Sequence, residues 1–78
     1  MIKEYDVVRL TRAIPEHGLA LGTQGAVVLV HNVAPPLFEV EFCDPSGRTV
    51  ALLTLGADAI QRVVDAAPDS ALSSRQQE

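Results

Sequence analysis

Covalent and metal staples are missing from this chain. Cys43 is the single cysteine among 78 residues, so no disulfide can form within the chain. His17 and His31 are its only histidines, and no Cys/His pair or cluster has zinc-ligand spacing. Tryptophan is absent, and Tyr5, Phe38 and Phe42 are the only aromatics. No apolar run approaches the roughly 20 residues that a membrane helix needs, so no membrane role is expected. Cations are scarce too: six Lys and Arg stand against ten Asp and Glu, for a net charge of −4. Proteins that neutralise phosphates carry a basic face, so nucleic acid is a poor candidate partner. The opening MIKEYDVVRL has no apolar core of a signal peptide. Together with a free thiol, this leads us to expect a cytoplasmic setting.

What is abundant is aliphatic. Apolar residues make up 47% of the chain, which describes a folded core and not a disordered segment. One domain is all the length allows, and its core must be thin. Residues 5–10 read as a strand, with Val8 and Leu10 on one face and Tyr5, Val7 and Arg9 on the other. Residues 11–23, with Pro15, Gly18 and Gly22, form a long loop whose Leu19 and Leu21 can fold back over the core. The valine-rich 25–31 is the clearest strand, and Asn32 to Pro36 ends it. Residues 37–43 alternate Phe38, Val40 and Phe42 against Glu39 and Glu41. Asp-Pro-Ser-Gly at 44–47 is a tight turn into a strand over 48–55. Residues 56–59 suit a 3₁₀ turn, and 60–64 a short closing strand.

The expected fold is therefore an all-β, five-stranded SH3-like barrel over 1–64. Phe38, Val40 and Phe42 should meet Val8 and Leu10 in its core. A helix over 55–64 is the rival for that segment. The tail, 65–78, is rich in Ala, Ser and Gln and is expected to be flexible or to form a short helix started at Pro68 and carrying Ala71 and Leu72.

Several blocks carry a resemblance. MIKEYDVVRLT, GTQGAVVLV, FEVEF and ALLTL together resemble a family of short bacterial proteins described as a domain of unknown function, over 1–64 but not the tail. More distantly, GTQGAVV resembles the second strand of KOW-type and nitrile-hydratase-β-like SH3 barrels. The resemblance implies the fold and a bacterial setting, with an antitoxin or accessory role by association. It transfers no catalytic residue.

No constellation of catalytic, cofactor-binding or metal-binding residues emerges. His17 and His31 read as surface histidines without a nucleophile or cleft beside them. Cys43 lies next to Asp44, whose charge disfavours a thiolate. Glu39 and Glu41 fit the solvated face of a strand. Gly18, Gly22 and Gly25 lack the lysine and hydroxyl of a phosphate loop and read as turn or bulge positions. One feature asks for more: residues 25–31 and 48–55 are apolar on both faces. Strict alternation sets Ala26, Val28 and Val30 against Val27 and Leu29, and Ala51, Leu53 and Leu55 against Val50 and Leu52. That second face must be covered by the long loop, by the tail or by another chain; the expected protein interface is Val27, Leu29, Val50 and Leu52, facing a partner protein or a second copy of the chain. The alternatives are a nucleic-acid module using Arg9, Arg12 and Arg48, or a small accessory subunit or chaperone of an enzyme.

Overall fold

The computed structural model describes residues 1–64. Five antiparallel strands form one sheet: β1 (Val7–Leu10), β2 (Gln24–His31), β3 (Leu37–Cys43), β4 (Thr49–Gly56) and β5 (Ile60–Arg62). Their order across the sheet is β4-β3-β2-β1-β5, so the first strand lies between the second and the last. This all-β arrangement, with a long first loop, a tight turn between β3 and β4 and a 3₁₀ turn before β5, is SH3-like. The rival helix over 55–64 does not form: β4 runs to Gly56, a 3₁₀ turn occupies Ala57–Ala59, and β5 follows. The expected helix in the tail lies outside the described residues.

Alternation builds the core. Phe38, Val40 and Phe42 point inward from β3 and meet Val8 and Leu10 from β1, with Val27, Leu19 and Ile60 completing the buried cluster. Ala51, Leu53 and Leu55 of β4 pack against the same cluster while staying partly exposed. In a flat sheet β4 and β5 would lie about 19 Å apart, four strand spacings. Both nonetheless contribute to one core, so the sheet is strongly curled. Leu19 reaches the core because the first loop folds on itself. Ile14 and Leu19 exchange backbone hydrogen bonds of 2.8 and 3.1 Å around a 3₁₀ turn at Pro15–His17.

Two turns fix the ends of the strands. The Asp44 carboxylate oxygen Oδ1 accepts from the Ser46 N–H at 3.0 Å, the Ser46 hydroxyl at 2.7 Å and the Arg48 N–H at 2.9 Å. Gly47 completes this turn at φ +88°, a conformation that L side chains adopt only with strain. At the other end, the Thr11 hydroxyl donates to the Asp58 carbonyl at 2.8 Å and the Thr11 N–H to that of Ala59 at 3.0 Å. These two bonds anchor the second 3₁₀ turn beside β1 and deliver Ile60 to the core.

Gly25 is a packing requirement and not a turn or bulge position. A Cβ there would stand 2.8 Å from the Glu41 carbonyl oxygen and 2.9 Å from two atoms of the Phe42 ring. The missing side chain leaves the space that the largest buried ring occupies. The bulge in β2 lies further on. Val27 pairs with Val40, but Leu29, not Val28, takes the next position opposite Glu39. One extra residue in a strand shifts every later side chain by one face.

Candidate functional site

That bulge divides the residues expected to form the interface. Val27 is fully buried at 0% exposure and belongs to the core, which corrects its placement on the outer face. Val28, the inserted residue, and Leu29 beyond it are exposed, and Val30 turns back toward the core. Strict alternation predicts Val27 and Leu29 on one face; the inserted residue separates them. The other three expected residues are exposed, Leu29 at 44%, Val50 at 54% and Leu52 at 58%, with Val50 the extra residue of a bulge between Thr49 and Ala51.

Register shows how the outer face is composed. Val7 pairs with Ala26, Ala26 with Glu41, and Glu41 with Leu52, so these four form a row across four strands. A second row runs from Leu29 through Glu39 to Thr54. Apolar side chains thus flank a central pair of carboxylates. A shallow depression over β1, β2 and β3 is lined by Val7, Gln24, Gly25, Ala26, Glu41 and Cys43. Val7 joins the surface although the spacing of the apolar blocks did not single it out; only the pairing of β1 with β2 brings it there.

The carboxylates are held in place by their neighbours. Glu39 Oε2 lies 2.8 Å from His31 Nε2 and accepts from the Thr54 hydroxyl at 2.7 Å. An ionised carboxylate only accepts, so the His31 Nε2 carries the proton of that bond. The His31 bond foremost, and then that of Thr54, hold the Glu39 carboxyl below the ordinary glutamate value, against the opposing effect of burial. Glu41 accepts from the Thr49 hydroxyl. His31 is therefore engaged with a β3 side chain, which its position at a strand end did not disclose. His17 is exposed within the first 3₁₀ turn, and Cys43 is exposed at the end of β3.

The three arginines considered for nucleic acid sit on separate elements. Arg9 lies on β1, where its Nε donates to the Gln61 side-chain oxygen at 3.3 Å, while Arg48 precedes β4. Two strands, β2 and β3, lie between β1 and β4 in the sheet. Arg12 follows β1 in the first loop. Among the described residues no group of three or more His, Cys, Asp and Glu is placed to hold a metal ion. No helix among them is long and apolar enough to cross a membrane.

Strand order, turn chemistry and an outer face of aliphatic side chains around two tethered glutamates define a small SH3-like domain. The chain belongs to the family described as Domain of unknown function (DUF4926), whose family model matches residues 4–62. That match covers all five strands. No curated protein and no solved structure matches the chain.

Proposed function

We propose that this domain is a non-enzymatic protein-binding module that uses the outer face of its sheet. The observation that carries the reading is the exposure of Leu29, Leu52 and Val7 in the outer rows of the sheet, with Val50 exposed at the edge strand beside them. A solitary soluble sheet would place Lys, Glu or Thr at such positions. Clustered apolar exposure on a small domain is the mark of a surface that meets another protein. Glu39 and Glu41 supply fixed acceptors within that surface, which favours a partner presenting apolar side chains with a donor between them. The scattered arginines and the acidic balance favour protein over nucleic acid. An accessory or antitoxin-type role in a bacterial cytoplasm is the most specific form of this reading, and it rests on the family resemblance alone.

The test is co-purification from the native host, comparing the wild-type chain with a Leu29→Asp, Leu52→Lys double variant. Both positions are already solvent-facing, so circular dichroism should show an unchanged fold. The expected result is a stoichiometric protein partner with the wild type and none with the variant. Capture of nucleic acid by the wild type, sensitive to salt and to Arg9→Ala, would replace this reading.

A further inference from the structure

The two edges of the sheet are β4 and β5, and among the described residues β4 is the longer one with no second partner. It is eight residues long, reads TVALLTLG, and contains neither a charge nor a proline. Soluble proteins usually protect an edge strand with lysine, proline or a very short length. Among the described residues, β4 pairs with β3 alone, and no loop backbone hydrogen-bonds to positions 49–56. Its inward side chains Ala51, Leu53 and Leu55 are only partly covered by the domain's own core.

We propose that β4 pairs antiparallel with β4 of a second copy of this chain, joining two five-stranded sheets edge to edge. The inference rests on the protein-binding reading and names the partner for its open edge. Three observations select this occupant. First, the strand is uncharged, so self-pairing brings no like charges together. Second, its ends carry opposite charges: Arg48 stands immediately before β4, and Asp58 two residues beyond it. Antiparallel pairing sets the Arg48 end of each copy beside the Asp58 end of the other, whereas parallel pairing would set Arg48 beside Arg48.

Third, the register closes. A two-fold axis perpendicular to a continuous sheet preserves its inner and outer faces, so it must pass through a residue and its own counterpart. Centring on Leu53 satisfies this rule and brings the Arg48 end of one strand to the Asp58 end of the other, although the bulge at Val50 and the 3₁₀ turn at Ala57–Ala59 take these two residues out of the strict ladder. The same centring also sets Ala51 opposite Leu55, and Leu53 opposite its own copy, on the inner face. These are the half-covered side chains that the single domain leaves partly wet. On the outer face Leu52 meets Thr54, extending the apolar rows across the junction.

Sedimentation equilibrium of the full chain tests this, with circular dichroism on every variant to verify the fold. A wild-type dimer is expected at concentrations on the order of 100 µM, as befits a single-strand junction of small area. Arg48→Asp or Asp58→Arg alone should weaken it roughly tenfold, since two exposed pairs become repulsive. Combining the two should restore wild-type affinity. Leu52→Lys, an edge-protecting change, should weaken the dimer at least as much. A wild-type monomer over the whole range overturns the self-pairing, and so does a dimer indifferent to charge at 48 and 58. If that monomer still captures a different protein through Leu29 and Leu52, the broader protein-binding reading stands and only the self-pairing fails. A monomer that captures nothing removes both.

Discussion

The strands at the two ends of the sheet solve the edge problem in opposite ways. β5 is three residues long, ends in Arg62, and is led in by a 3₁₀ turn bonded to Thr11. Its first residue, Ile60, is 4% exposed and sits in the core. β4 is more than twice as long, uncharged, and buries none of its side chains fully. Among the described residues one edge is short and anchored by its core residue; the other is long and offers its backbone. In a domain with so little apolar volume, core residues cannot be spared for both ends. The comparison shows where stability is concentrated and where a partner can attach without disturbing it.

Substitutions at matched positions sharpen that contrast. Ile60→Ala removes a buried side chain and should cost about 2–5 kcal/mol, a large share of the stability of so small a domain. Leu52→Lys at the open edge should change the stability of the isolated domain by no more than about 0.5 kcal/mol. Chemical denaturation at a concentration low enough to exclude association measures both, and comparable losses would erase the distinction between the edges. Gly25→Ala comes next in size. The added methyl meets the Glu41 carbonyl and the Phe42 ring, and one of these is backbone that cannot swing aside, so a loss of about 1–3 kcal/mol is expected. An unchanged midpoint would show that β1, β2 and β3 pack more loosely than their register implies.

The smallest effect is electrostatic and lies on the outer face between the two edges. Glu39 is held below its ordinary value of 4.5 in the folded chain. A carboxyl depressed by folding contributes stability that is present above the unfolded value and lost as pH falls through the folded one. The contribution should therefore persist at neutral pH and fade only in the acid range below 4.5. A carbon-detected NMR titration should place Glu39 below the unfolded value. His31→Ala should move it upward, more than Thr54→Val does. An unmoved Glu39 in the His31 variant would disprove the pairing.

Much of the fold is written in local patterns. Period-two spacing gives Phe38, Val40 and Phe42 their inward direction, and Asp-Pro-Ser-Gly at 44–47 gives the hairpin its turn. Gly56 to Ala59 gives the 3₁₀ entry to β5. These features depend on neighbours in sequence, so a single chain displays them. The surface is less legible because it depends on partners across the sheet. The extra residue at Val28 is invisible until β2 is laid beside β3, and without it Val27 is assigned to the wrong face. The clearance at Gly25 is likewise set by a ring on another strand, and the His31–Glu39 pair by the register of β2 on β3. Leu52 is exposed as alternation from Ala51 to Leu55 predicts, whereas Val50 sits at a second bulge, against β3, that local patterning does not reveal.

The position of β1 also governs when this domain can come into being. Val8 is paired with Arg62, so a strand near the start of the chain receives its second neighbour only from residues made some fifty positions later. The β2–β3–β4 meander can form from nearby segments as soon as they are available. During synthesis it would stand for a time with one side of β1 unpaired and Ile60 missing from the core. The five-stranded sheet therefore cannot be complete before residue 62 is made. A ribosome stalled before that point would hold an open meander, and one stalled far enough beyond it would hold a finished domain.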